Sequence, residues 1–117
     1  MTVLSIVLQV VLGIGFLLFG YQKFTSEAMK KGFEYFGYSD RFRIFTGLFE
    51  ILSAVVLIAG IWLPPLAVTG GLMIAATMTG AGFTHLKMKD PVKNMALPLV
   101  LLVLGLVVAA VNWTLLA

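Results

Sequence analysis

Four long apolar stretches fill most of this chain and leave little sequence for any structure other than helices. A helix that crosses the hydrocarbon core of a bilayer needs about 20 mostly apolar residues. The stretches that qualify are Thr2–Gly20, Phe42–Leu63, Leu66–His85 and Val92–Leu116. Because a segment in lipid has to satisfy its own backbone hydrogen bonds, each stretch is predicted to be a transmembrane helix.

The composition excludes a water-soluble fold. Of the 117 residues, 61% are hydrophobic and only 11% are charged, whereas about 25% of the residues in a soluble domain are charged. The chain has no Cys and a single His, and no haem, metal or nucleotide motif is evident. The length fits one unit, so residues 1–117 are expected to form a single transmembrane domain.

The basic residues are confined to two of the three loops. All eight Lys and Arg side chains lie in or beside residues 21–41 and 86–91. Basic loops are retained in the cytoplasm, so we expect both loops to be cytoplasmic and both termini to lie outside, in the inner membrane if the cell is bacterial. The net charge of +3 therefore reflects topology, and nucleic-acid binding is not expected.

The first loop is predicted to contain a short amphipathic helix. Ser26 can cap its start and Gly37 is suited to end it. Met29, Phe33 and Phe36 share one face, which we expect either to tuck under the bundle or to lie on the lipid surface. Since the connections are short, the predicted fold is an all-α, four-helix transmembrane bundle in up-down-up-down order.

Capping residues and prolines predict where the spans begin. Ser39 is expected to cap the second span, and Pro64–Pro65 predicts a tight turn before the third. Asp90 is expected to be the N-cap of the fourth span, with Pro91 at its first helical position.

Small residues at helical spacing mark faces along which spans can approach closely. The candidates for helix packing are Gly20, Gly47, Gly71 and Ala75, with Gly105 and Ala109 forming a similar stripe on the fourth span. Packing within one bundle is the commoner role of such stripes, and formation of a homo-oligomer is left open.

Glu50 is the one carboxylate inside a predicted span. A charge at that depth costs about 2.5–3.5 kcal/mol on the insertion scale, so a basic partner, hydrogen bonds, water or protonation has to offset it. Three basic groups are predicted to lie in the same cytoplasmic half: Lys23, Arg43 and His85. We therefore expect a polar pocket around Glu50 that opens toward the cytoplasm. A purely structural contact between helices is the alternative.

The charges of this predicted pocket indicate which ligands suit it. One His and one carboxylate are too few for a closed zinc site, and the basic neighbours would repel a cation. An anion or a polar headgroup fits better. So does a quinone, whose ring suits Phe19, Tyr21 and Phe83 and to which Glu50 and His85 could donate protons.

Several short motifs make the chain resemble the DoxX-like membrane proteins. They are Gly20-x2-Lys23-Phe24, Phe33-Glu34-Tyr35-Phe36-Gly37, Arg43-x3-Gly47-x2-Glu50, a small-residue helix ending at Gly60, and His85 at the end of the third span. The resemblance implies a four-helix membrane protein with the pocket residues named above. Relatives in that family include a subunit of a thiosulfate:quinone oxidoreductase, proteins of oxidative-stress complexes and an animal branch that chaperones receptor assembly.

Three functions are compatible with these features. The first is a quinone-interacting subunit of a membrane oxidoreductase, which would need a bound cofactor or a partner subunit because the chain has no Cys. The second is a non-catalytic chaperone or assembly factor for another membrane protein. The third is a small proton-coupled exporter, although small multidrug transporters carry their carboxylate in the first span. The expected partners are the lipid bilayer and another membrane or membrane-associated protein.

Overall fold

The computed structural model describes residues 3–113 and, within that range, contains helices and no strand. The helices are α1 (Val3–Thr25), α2 (Glu27–Tyr35), α3 (Asp40–Ala59), α4 (Pro64–Lys87) and α5 (Lys93–Trp113). All except α2 are long and apolar enough to cross a membrane. The predicted four-helix bundle with a short helix between the first two spans is confirmed. The predicted span ends at Thr2 and Leu116 lie outside the described residues.

The four long helices form a ring in which α1 packs on α3, α3 on α4, and α4 on α5, with a smaller contact between α5 and α1. The ends of α1 and α4 and the starts of α3 and α5 lie together with α2. We call this end of the bundle the basic end, because every Lys and Arg of the chain lies there. The turn between α3 and α4 marks the opposite end.

The first helix is longer than predicted. It continues past Gly20 to Thr25, so Lys23 lies in its last turn rather than in a loop. The sequence after Gly20 is polar enough to end an apolar stretch but contains no residue that breaks a helix. The boundary predicted from hydropathy was therefore too early.

The ends of α2 are set by local chemistry, as predicted. The Ser26 hydroxyl accepts a hydrogen bond from the Met29 amide at 3.3 Å. At the other end Gly37 has a φ of +82°, its amide donates to the Glu34 carbonyl, and the Tyr38 amide donates to the Phe33 carbonyl. This pair of hydrogen bonds is a Schellman motif, which requires a left-handed residue at Gly37.

The starts of the later spans follow the predictions in part. Ser39 caps α3 by accepting from the Phe42 amide at 3.1 Å, and Pro64 opens α4. The prediction for the fourth span was wrong, because α5 begins at Lys93 and the Asp90 carboxylate is bound to a side chain of α4 instead of capping α5.

Glycines let α4 and α5 approach closely. A Cβ atom added at Gly71 would lie 2.6 Å from the Gly105 carbonyl oxygen, and one added at Gly105 would lie 2.9 Å from the Gly71 carbonyl oxygen. The backbones are therefore in direct contact here. The small-residue stripes of the two spans face each other inside the bundle.

A buried polar cluster near the opposite end connects α1, α3 and α5. The Gln9 amide donates to the Leu57 carbonyl at 3.0 Å, and the Ser5 hydroxyl donates to the Gln9 side-chain carbonyl at 2.8 Å. The Asn112 amide in turn donates to the Ser5 hydroxyl at 2.8 Å. This cluster was not predicted, although the amides of Gln9 and Asn112 within apolar spans are a signal for it.

We expect Gln9→Leu to lower the free energy of unfolding by about 0.5–2 kcal/mol, because hydrogen bonds between membrane helices contribute about that much. The measurement is thermal unfolding in detergent or nanodiscs. Gln22→Leu is the matched control, since Gln22 is an exposed residue of the same helix. Equal melting temperatures for the two variants would contradict a stabilising role for the cluster.

Candidate functional site

A cavity of about 530 Å³ lies in the half of the bundle next to the basic end. This volume is within the range of about 300–1,000 Å³ that is usual for small-molecule sites. The wall is largely aromatic, with contributions from Phe19, Phe33, Phe36, Tyr38, Phe42, Phe45, Phe49 and Phe83. An apolar ring is therefore compatible with most of the surface.

The polar part of the cavity wall is centred on an ion pair between α1 and α3. The Lys23 Nζ atom lies 2.6 Å from Glu50 Oε1. Lys23 is 8% exposed and Glu50 is 2% exposed. The Phe33 ring of α2 covers the ammonium group, with Nζ 5.9 Å from the ring centroid. The pair provides the compensation that a carboxylate at this depth requires.

Two glycines bring α1 and α3 close enough for this pair to form. Gly20 lies one turn before Lys23, and Gly47 lies one turn before Glu50. A Cβ added at Gly20 would lie 2.7 Å from the Gly47 carbonyl oxygen, and one added at Gly47 would lie 3.0 Å from the Gly20 carbonyl oxygen. Because α1 and α3 are antiparallel, Lys23 and Glu50 lie one turn to either side of this contact. A Cβ added at Gly47 would lie 3.1 Å from the Lys23 Cβ, so the lysine side chain passes the bare Gly47 backbone to reach Glu50.

Arg43 lies beside this pair but outside the cavity wall. Its guanidinium donates a hydrogen bond to the backbone carbonyl of Lys23 and lies 3.4 Å from the Asp40 carboxylate. Because Lys23 is in the last turn of α1, its carbonyl has no partner further along the helix. Arg43 therefore gives this carbonyl at the end of α1 a hydrogen-bond donor and holds the Lys23 backbone in place. The Lys23 side chain is left to contact Glu50.

His85 lines the cavity from α4, and its partner is Asp90 rather than Glu50. The His85 Nδ1 atom lies 2.7 Å from Asp90 Oδ2. The His85 and Phe36 rings are nearly perpendicular, with their centroids 5.6 Å apart. The Tyr35 hydroxyl lies 3.5 Å from the other oxygen of Asp90. These contacts connect α2 to the end of α4.

Two hydroxyl groups of the cavity wall were not identified in the sequence analysis. The Tyr38 and Thr84 hydroxyls lie 2.8 Å apart, and both residues line the cavity. Tyr38 directly follows the Schellman glycine, which turns the chain back toward α4. The turn at Gly37 could be predicted from the sequence. The contact between Tyr38 and Thr84 could not, because the two residues are 46 positions apart in the chain.

The remaining predicted residues are distributed as follows. Phe19 and Phe83 line the cavity, whereas Tyr21, the third aromatic residue suggested for a ligand ring, is 61% exposed and lies outside its wall. Gly71 and Ala75 lie on the face of α4 that packs against α5. Within residues 3–113, no cluster of three or more His, Asp or Glu side chains is arranged to hold a metal ion.

The fold and the cavity define a class of protein: a small integral membrane protein with four spanning helices and an aromatic cavity that contains a buried ion pair. The family model of the DoxX-like family matches residues 7–109. The chain belongs to the DoxX-like family, and the resemblance inferred from the motifs is confirmed. No curated protein and no solved structure matched the chain in the corresponding comparisons.

Proposed function

We propose that this protein is a quinone-interacting subunit of a membrane oxidoreductase and that the cavity binds the quinone head. The observation that carries the proposal is the Lys23–Glu50 pair, held at 2.6 Å within a largely aromatic wall. A quinone head is a flat apolar ring with carbonyl oxygens at its edge. Aromatic side chains suit the ring, and the Lys23 ammonium is a donor for a carbonyl oxygen.

The polar residues of the cavity suit the proton exchange that accompanies quinone reduction. Reduction of a quinone to a quinol takes up electrons and protons. The His85 Nδ1 atom lies 2.7 Å from Asp90 Oδ2. Because a carboxylate accepts hydrogen bonds, this contact favours a proton on Nδ1 and leaves Nε2 as the ring nitrogen that can exchange a proton with a ligand. Glu50 is the carboxyl group of the cavity wall. Because the chain has no Cys, the electrons would come from a bound cofactor or a partner subunit.

The proposed role as an assembly factor has less support from the packing of the helices. The small residues that such a factor would offer to a client include Gly71 and Ala75, and these are covered by α5. The exporter role has no specific observation in its favour. The experiment below distinguishes both roles from quinone binding.

We expect the protein purified from native membranes to retain a quinone, and Glu50→Gln to retain at least about tenfold less, the factor that corresponds to a loss of 1.4 kcal/mol of binding free energy. The amide cannot form the ion pair that positions the Lys23 ammonium. The measurement is mass spectrometry of the extracted small molecules, normalised to protein.

Glu34→Gln is the matched control, since Glu34 is an exposed carboxylate outside the cavity wall. Retention of phospholipid alone would contradict the proposal, and a stoichiometric membrane partner in that preparation would favour the assembly role. Equal quinone retention by both variants would remove Glu50 from the binding site. Proton flux into proteoliposomes that requires Glu50 and an added substrate would favour the exporter.

A further inference from the structure

We propose that the cavity opens sideways into the bilayer between α3 and α4, and that its ligand is a polar head with a long apolar chain that leaves through this opening. This inference rests on the proposed function and adds the class of ligand: a lipid-tailed quinone rather than a small soluble one.

The side of the cavity that faces the basic end is covered by α2. Met29 and Phe33 of α2 line the cavity, as does Phe36, its C-cap residue. Two contacts hold this segment against the end of α4. The Tyr38 hydroxyl lies 2.8 Å from the Thr84 hydroxyl, and the Phe36 ring packs nearly perpendicular to the His85 ring. A ligand therefore has no direct route from the water at this end while α2 is in place.

The side toward the opposite end is closed because α3 and α4 are in direct contact there. A Cβ added at Gly70 would lie 2.8 Å from backbone atoms of Leu57. Nearer the basic end, Gly80 is exposed and a Cβ added there would meet no atom within 4 Å. Gly80 is nevertheless a residue of the cavity wall. The cavity therefore has a gap to the outer surface of the bundle at this depth.

The residues at this gap belong both to the cavity and to the outer surface. Phe45 of α3 is 62% exposed and Phe83 of α4 is 66% exposed, and both line the cavity. Ala76 and Gly80 complete the α4 side with the smallest side chains available. We call these four residues, Phe45, Ala76, Gly80 and Phe83, the α3–α4 opening. It lies within helices that are long and apolar enough to span a membrane.

The chemistry of the opening favours a hydrocarbon chain. Its four side chains are apolar or absent, so a polar substituent would lose its hydration there without gaining a partner. The ion pair of Lys23 and Glu50 lies in the cavity wall. A molecule that satisfies both regions has its polar head inside and its apolar chain directed outward. A lipid-tailed quinone and a phospholipid acyl chain share this chemistry, and the experiment separates them.

The test compares one quinone head with and without a chain: 2,3-dimethoxy-5-methyl-1,4-benzoquinone and its decyl derivative. Binding is measured in nanodiscs of fixed lipid composition for the wild type, Gly80→Trp and Gly82→Trp. Both glycines have open space around an added Cβ, but Gly82 does not line the cavity. Because all samples contain the same lipid, partition of the decyl chain into the bilayer is the same in each.

We expect the decyl quinone to bind the wild type and Gly82→Trp at least about tenfold more tightly than the head alone, because the chain buries apolar surface. Gly80→Trp should reduce this ratio to near one and still bind the head, which also shows that the variant is folded. Equal binding of the two quinones to the wild type, or an unchanged ratio in Gly80→Trp, would overturn the lateral opening and leave the quinone site intact.

Two further outcomes would also overturn the inference. If neither quinone binds the wild type, the proposed function fails and the inference fails with it. If Gly80→Trp loses tightly bound phospholipid while the ratio for the quinones stays at its wild-type value, the opening holds a lipid acyl chain and not the chain of the ligand, which overturns the inference.

Discussion

Lys23→Met is expected to lower the free energy of unfolding by about 3–5 kcal/mol, because removing one partner of a buried ion pair leaves the other charge without compensation. The Lys23 ammonium lies 2.6 Å from Glu50, and the Glu50 side chain is almost completely buried. The measurement is thermal or chemical unfolding of the purified protein in nanodiscs, followed by circular dichroism.

The double variant Lys23→Met/Glu50→Leu distinguishes the ion pair from the packing of the same side chains. Replacing a buried pair by apolar residues of similar volume is often close to neutral, so the double variant should recover most of the stability lost in Lys23→Met. Lys31→Met is the control, since Lys31 is exposed on α2. If Lys23→Met were as stable as Lys31→Met, the ion pair would have no structural importance. If the double variant were the least stable of all, packing rather than charge would dominate at this position.

Gly71→Leu is expected to destabilise the bundle by about 1–3 kcal/mol or more, because overpacking a close contact forces the backbone to move. The Cβ atom alone would lie 2.6 Å from the Gly105 carbonyl oxygen. A backbone oxygen within a helix cannot rotate away as a side chain can, so α4 and α5 have to separate.

Gly82→Leu is the matched control for this prediction. It makes the same substitution in the same helix, but a Cβ at Gly82 would meet no atom within 4 Å. Unfolding in nanodiscs should therefore show a clear loss of stability for Gly71→Leu and little change for Gly82→Leu. Equal melting temperatures for the two variants would contradict the close contact between α4 and α5.

The ion pair and the closely packed glycines serve the proposed site in different ways. Gly20 and Gly47 hold α1 against α3, which determines the distance between Lys23 and Glu50. Gly71 and Gly105 hold α4 against α5, on the other side of the cavity. The space between these two pairs of helices is what a ligand would occupy. A rigid frame of this kind suits a head group that has to be placed precisely in a membrane.

The short helix α2 was predicted well because its signals are local. Ser26 caps its start and Gly37 ends it, and each acts on residues within one turn. The prediction left open whether its apolar face lies on lipid or under the bundle. Met29, Phe33 and Phe36 line the cavity, which places that face under the bundle.

The contacts of Glu50, Arg43 and His85 show where prediction from sequence ends. The sequence indicated that Glu50 needs compensation, and it offered three basic groups. The structure pairs Glu50 with Lys23, places Arg43 on the Lys23 carbonyl and pairs His85 with Asp90. Asp90 was expected to cap the last span because it directly precedes Pro91, a local pattern typical of a helix start. In the structure its carboxylate contacts the His85 side chain instead.

The sequence by itself determined the number of spans, the end of the bundle that carries the basic residues, the caps of α2 and α3, and the need for a partner at Glu50. These features depend on hydropathy and on interactions within a few residues, which can be read along the chain. Only the tertiary structure decided which base meets Glu50, which glycines touch and where the cavity opens. Those features depend on the rotation and relative depth of whole helices, which are set by contacts between residues far apart in the sequence.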